Sequence, residues 1–285
     1  MTTDTHTDTH TGADTDTPTG AGTDVDRERQ APPPVAGGAA EWTPKVMPPI
    51  GLELTDRQKL ACAFRILGTS GFSENIAGHI TLRAGDTHDL LVNPWGLWWE
   101  EITASDICKV SPDAEVLDGK WDVTPAIHIH TELHRRRPDV RVVVHNHPYY
   151  STVLAALGVL PEFLHQTGSM FEGDLAFVDE YTGEIANADL GADLADRIGD
   201  KSVVLLANHG VIVTGPTVEE TTYRAATIDR QCRLMYDVLV TGRDHTLVPP
   251  GLRRSMKASL LERGTDFFWN GAVRALLRND PEVVQ

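Results

Sequence analysis

One short stretch limits what this chain can become: Val142-Val143-Val144-His145-Asn146-His147-Pro148. Three β-branched residues in a row read as a buried strand, because a branched Cβ fits a pleated surface and crowds a helix. The proline then ends the strand, having no N–H for the ladder. Alternate residues of a strand share a face, so His145 and His147 carry their imidazoles to the same side. A second stretch has the same form: Val203-Val204-Leu205-Leu206-Ala207-Asn208-His209-Gly210. It is again a buried strand that ends in a histidine, with a glycine to turn the chain. A lone histidine at a strand end reads as a surface or capping residue. The pair together with the third points to a metal. His145, His147 and His209 would form a facial imidazole set with open positions, which suits a catalytic divalent ion.

The 285 residues suffice for one large domain or two small ones, and 41% hydrophobic side chains imply a packed core. The net charge is −16. Residues 1–42 hold two arginines and eight acids, hence −6, which leaves −10 for the rest. That balance argues against nucleic acid as a partner, since such binding needs a basic surface. Cys62, Cys108 and Cys232 are odd in number and widely spaced. They suggest a reducing cytoplasm, with neither a disulfide framework nor a CxxC zinc site. No apolar run approaches the roughly 18 residues of a membrane span, and no signal-peptide core follows Met1. The expectation is a cytoplasmic protein with no membrane partner.

Residues 1–42 are low in complexity, with Thr5-His6-Thr7-Asp8-Thr9-His10 and then Ala31-Pro32-Pro33-Pro34. Such a segment cannot bury enough apolar surface to offset its ordering entropy. A disordered tail over 1–45 and one domain over 46–285 are expected. Thr55-Asp56-Arg57-Gln58 reads as a capping box that opens a helix to about Leu67. Short strands follow near 80–83, 90–92 and 107–110, in turn-rich surroundings that suit antiparallel pairing. A helix opens at Asp122–Pro125 and runs to Arg136. Further helices are expected after Pro148 and over 189–198. A strand over 211–214 leads to a second capping box, Thr217-Val218-Glu219-Glu220, and a helix to about Val240. One or two helices fill 250–278. Strict βαβ alternation is absent, so the expected fold is α/β with a mostly antiparallel sheet flanked by helices.

With these residues placed, the chain resembles the class II aldolase/adducin family over roughly residues 52–245, as judged from its motifs. The markers are Ala77-Gly78-His79-Ile80-Thr81-Leu82-Arg83, Asn93-Pro94-Trp95-Gly96, Arg137-Pro138-Asp139, His145-Asn146-His147 and Asn208-His209-Gly210. The resemblance implies a three-layer α/β/α fold around a central, mostly antiparallel sheet. It also implies a divalent metal on His145, His147 and His209, and a homotetramer with active sites near subunit boundaries.

The departures from the family pattern matter more. Where sugar-phosphate aldolases of the family carry an acid/base Glu, this chain has Ala126, within Thr124-Pro125-Ala126. An aldol reaction that needs that proton shuttle is therefore in question. His130 matches a family histidine and is the candidate catalytic residue. The family's phosphate-binding Gly-Asn pair reads Gly78-His79, a small hydroxyl residue is replaced by Trp95 before Gly96, and a Ser-Ser pair reads Thr124-Pro125. His79, Trp95, Gly96 and Thr124 are the candidate substrate-binding residues. An indole in place of a hydroxyl removes a donor for a dianion and adds a large apolar wall. The substrate implied has an apolar or aromatic body and an acidic end. Trp98 and Trp99 read as core or interface residues.

Other polar residues are open to two readings. His130 and His134 stand at i and i+4, a metal spacing on a helix, but the run Arg135-Arg136-Arg137 puts His134 on a solvated face. His128 and His165 read as structural. Tyr149, Tyr150 and Tyr181 could donate to a substrate oxyanion or simply pack. Glu74 is either a base or an exposed loop carboxylate. Two chemistries fit a three-histidine metal without the acid/base Glu. In one, a zinc or manganese ion supports non-oxidative decarboxylation of an α-keto or hydroxy-aryl acid. In the other, Fe(II), the favoured ion, and O2 act on the same substrate class. The family contains such a branch, the CloR and NovR type of aminocoumarin antibiotic biosynthesis, which converts prenylated 4-hydroxyphenylpyruvate to the benzoate by oxidative decarboxylation. The Trp-rich loop, the altered phosphate site and the missing Glu suit that substrate. The family also contains adducin-like domains that bind without catalysis, and the intact histidines argue against that reading here. Because the tail cannot pack, deleting residues 1–42 should leave the melting temperature unchanged; a drop of several degrees on calorimetry would show that it docks.

Overall fold

The triple valine forms the strand Val142–Asn146, and its alternation divides the molecule into layers. Val142 and Val144 enter the larger core, whereas Val143 enters the smaller one on the opposite face. The computed structural model describes residues 46–285 apart from Asp86, Tyr181 and Thr182. The expected tail and Tyr181 thus lie outside the described residues.

In chain order the elements are α1 (Asp56–Thr69), β1 (His79–Arg83), β2 (Leu90–Val92), β3 (Cys108–Val110), β4 (Val116–Asp118), α2 (His128–Arg136), β5 (Val142–Asn146), α3 (Tyr149–Leu157), β6 (Leu175–Val178), α4 (Ala188–Ile198), β7 (Val203–Leu206), β8 (Gly210–Gly215), α5 (Val218–Thr241) and α6 (Pro250–Asn279). The eight strands form a single sheet in the order β4-β3-β2-β1-β5-β8-β7-β6. Every neighbouring pair is antiparallel except β6 and β7. That pair is joined through α4, the crossover a parallel connection requires. Residues of α1, α3, α5 and α6 pack on one face of the sheet, and residues of α2 and α4 on the other. The expected three-layer α/β/α architecture with a mostly antiparallel sheet is what forms.

Local chemistry sets the boundaries. Thr55 and Gln58 form the reciprocal capping box of α1. Thr217 caps α5 by accepting from the Glu220 N–H, but the second capping box is not completed. The Glu220 carboxylate pairs instead with Arg224, one turn on. Thr124 caps a 3-10 turn, Pro125–Ile127, which feeds α2. Residues 250–278 lie in one helix, not two. Strands β4 and β6 had no clear signal: β4 is an exposed edge strand, and β6 lacks alternation. Among the described residues, no helix is long and apolar enough to cross a membrane.

Asn146, at the end of β5, is clamped by two glycines. Gly78 has φ +85°, and a Cβ there would overlap the Asn146 side-chain amide. A Cβ on Gly210 would overlap the Asn146 carbonyl. Gly78→Ala should therefore cost about 2 kcal/mol or more, roughly 4–8 °C in Tm by thermal melting.

Candidate metal centre

Three chain segments bring the histidines together. β5 carries His145 on the same face as Val143 and continues to His147. β1 pairs with β5 so that His79 lies opposite His145. His209 sits at the tip of the β7–β8 hairpin, where Leu206 pairs with Gly210. Asn208 before it has φ +52°, a left-handed conformation that Asn tolerates through its short polar side chain. The Asn-His-Gly motif is thus a turn that aims an imidazole. Ring centroids lie 5.1 Å apart for His145 and His147, 4.8 Å for His145 and His209, and 4.9 Å for His147 and His209. One nitrogen of each lies within 4.8 Å of the others, which is the spread that one ion can bridge.

The hydrogen bonds fit a metal. His145 Nδ1 lies 3.1 Å from the Val211 carbonyl, which can only accept, so Nδ1 carries the proton and Nε2 is bare. His147 Nδ1 lies 2.6 Å from Glu74 Oε2, and its buried Nε2 has no hydrogen-bond partner. A buried nitrogen lone pair needs a partner, and a cation supplies one. Glu74–His147 has the form of a carboxylate that orients a ligating imidazole. Burial, reinforced by His209 and His147, holds His145 well below the usual histidine range. Burial and then His147 hold His209 at about 4. Both are neutral near pH 7, as ligands must be.

A cleft of about 400 Å³ opens beside the triad. His79, Trp95, Thr124 and Ala126 line it, with Ile129 and Ile185 adding apolar wall. Trp95 is 57% exposed where it lines the cleft. Gly96 does not line the cleft; its φ of +96° makes the turn after Trp95. Thr124 accepts from the Ala126 N–H at 3.2 Å, so its own proton remains for another acceptor. Sequence reasoning missed Glu184, which reaches the cleft from the linker before α4 and carries no motif. It also missed the contact between Glu74 and His147, seventy-three residues apart.

Two histidine assignments need correction. His130 is completely buried and does not line the cleft. It packs edge-on behind His79, with centroids 5.4 Å apart, so it cannot touch a substrate. His134 is not on a solvated face: it is 6% exposed and lies 2.9 Å from Thr81 Oγ1. Its ring points to the sheet, while Arg135 and Arg136 pair with Glu132. The other assignments find ordinary places. Trp99 is core, against Phe64 and Phe72, while Trp98 is half exposed. His165 accepts from the Thr167 N–H as a helix cap. Tyr149 is exposed in a groove on the other side of His147 and His209, and Tyr150 packs on Tyr236.

Alanine at His145, His147 or His209 should each sharply lower bound metal, measured by elemental analysis. Glu74→Gln should keep the site but weaken it by roughly 10- to 100-fold in a chelator competition. The metal-free protein should also lose stability in acid. His79 and His134 stand at about 3 and His209 at about 4, chiefly through burial, against 6.5 when unfolded. The unfolded chain therefore binds protons first as pH falls below 6.5. Each such histidine should remove roughly 1.4 kcal/mol per pH unit between there and its folded value, visible as a falling Tm.

The chain has relatives of known family and fold. The model for the "Class II Aldolase and Adducin N-terminal domain" matches residues 58–236. A putative aldolase class 2 protein of Caulobacter vibrioides is 30% identical over 79% of this chain and 90% of its own length. The 4-hydroxy-3-prenylphenylpyruvate oxygenase/4-hydroxy-3-prenylbenzoate synthase of Streptomyces roseochromogenus is 32% identical over 61% of this chain and 64% of its own. The crystal structure of an aldolase II superfamily protein from Pseudomonas syringae superposes with a TM-score of 0.72 at 27% identity, covering 80% of this chain and 94% of that one. The family match over most of the chain, the relative covered almost end to end and the shared fold lead to one conclusion: the chain belongs to the class II aldolase and adducin family.

Proposed function

We propose that this protein is a metal-dependent enzyme that breaks a C–C bond in an aromatic α-keto or hydroxy acid. The favoured form of the reaction is Fe(II)- and O2-dependent oxidative decarboxylation of a 4-hydroxyphenylpyruvate, prenylated or plain, toward the benzoate. The observation that carries it is a convergent three-histidine set beside a cleft walled by Trp95, Ala126, Ile129 and Ile185. An ion held by His145, His147 and His209 would supply Lewis acidity toward a chelating carboxylate and, as Fe(II), reactivity with O2. The chain's own residues do the rest. Trp95 and the isoleucines bury an aromatic body and exclude water from it. Thr124 offers a hydroxyl proton to a substrate oxygen. Glu74 fixes the His147 ring. With alanine at 126, a proton must come from elsewhere, and Glu184 is the carboxylate that lines the cleft. The oxygenase relative from Streptomyces supports the substrate class. The reading includes a cytoplasmic location and a homotetramer, the assembly supported by exposed Tyr149 in the groove that His147 and His209 also line.

The test is anaerobic purification, metal analysis and oxygen uptake with 4-hydroxyphenylpyruvate analogues. Oxygen should fall in step with carbon dioxide release, and zinc substitution should stop both. Activity with zinc or manganese and no oxygen demand would make the enzyme a plain decarboxylase. Trp95→Ser should weaken the aromatic substrate by roughly 1–3 kcal/mol, seen as a higher KM. Efficient cleavage of fuculose- or ribulose-type phosphates would overturn both forms and restore an aldolase.

A further inference from the structure

We propose that a cavity at the far end of β1 and α2 is a second binding site, apart from the histidine triad, for a small carboxylate monoanion with a compact apolar body.

The cavity holds about 310 Å³, at the low end of the roughly 300–1,000 Å³ of small-molecule sites. It shares no lining residue with the cleft beside the triad. β1 runs from His79 in the cleft to Arg83 in this cavity, and α2 runs from Ile129 in the cleft to Arg135 in the cavity. Leu90, Pro112 and Pro138 give the cavity an apolar wall, suited to a compact hydrophobic body.

The charge inside is set by Arg83. Its guanidinium donates to the carbonyls of Pro138 at 3.1 Å, His134 at 2.8 Å and Arg137 at 3.5 Å. Carbonyls orient a cation without cancelling its charge, and these leave part of the donor fork unused. Among the described residues Arg83 forms no ion pair. Asp139, which stands near, gives both its oxygens to Arg137, at 2.9 and 2.7 Å. After burial, the charge of Arg83 is what holds His134 at about 3. Arg135, the second cation of the wall, is already met by Glu132 and, at 3.4 Å, by Asp113. The positive charge of Arg83 is therefore left uncompensated.

That balance selects the ligand. A guanidinium matches the flat, two-oxygen end of a carboxylate. A dianion would bring excess negative charge beside Asp113 and Asp139, and like charges brought together are costly. Thr131 lines the cavity at 4% exposure, and its hydroxyl has no hydrogen-bond partner among the described residues. It can donate to the same anion. His88 lines the cavity with an exposed side chain, at the rim. A few convergent polar groups over an apolar wall are the makeup of a ligand site.

The test uses 4-bromobenzoate and the full-length, zinc-loaded protein, and needs no turnover, so it is independent of the reaction assigned to the metal. Soaked crystals should show bromine anomalous density inside the cavity, whatever binds at the zinc. Titration calorimetry with the same probe should give a binding component that His88→Glu, which puts a negative charge at the rim, weakens about tenfold. Arg83→Gln should weaken it further. Any component at the zinc should be the same in both variants. Inorganic phosphate should displace the probe from the cavity only at concentrations about tenfold higher or more. An empty cavity, a cavity filled in the crystal with no titration component sensitive to His88→Glu (binding at crystal concentration only), or phosphate that competes as well as the carboxylate would each overturn the assignment. If Arg83→Gln fails to fold, His88→Glu decides, since that side chain is exposed.

Discussion

An imidazole can bind a metal or a proton donor only through the nitrogen it has not protonated, and that choice is made at the opposite edge of the ring. At this site the inner edge is held in each case that can be traced. The Val211 carbonyl holds His145, and Glu74 holds His147. Both contacts come from segments distant in sequence, so the ligands are set only when β8 and the loop before β1 have docked on β5. The sheet is therefore part of the candidate metal site. Its backbone supplies an acceptor that no side-chain substitution can remove.

The same constraint explains an unusual choice inside the smaller layer. A face of β1 that could have been apolar carries His79 and Thr81, and the helix above it carries His130 and His134. Burying these groups is expensive unless each finds a partner. The layer accepts that burden next to the cleft; on the opposite face of the same strands, Val142, Val144, Val211 and Val213 belong to the larger apolar core. Local departures from an apolar core of this kind mark functional ground.

Much of this was legible in the sequence. The valine runs and the proline after His147 located the two central strands, because period-2 burial and a missing N–H are local properties. The convergence of His145, His147 and His209 followed from strand parity and from a glycine that turns the chain at Gly210. Other features were not legible because they depend on what lies across the sheet. His134 sits beside three arginines in sequence, yet the helix turns those cations outward and the histidine onto Thr81. His130 has the right neighbours for catalysis, yet the thickness of His79 separates it from the cleft. Glu184 belongs to a linker whose path is fixed by packing and not by any motif. The resemblance supplied the layer order; propensity alone could not have supplied the parallel register of β6 on β7.

Asn146 lies between two metal-ligand candidates, and its neighbours Gly78 and Gly210 belong to the loops that deliver His79 and His209. Three segments thus interlock at one residue, Gly78 against its side chain and Gly210 against its carbonyl, like pieces that can be changed only together. Substitutions at these positions will be strongly non-additive. A family that explores new substrates through this scaffold will vary the rim, at positions such as 95 and 126, and leave the keystone alone. Divergence in chemistry and constancy in architecture are, in that sense, results of the same joint.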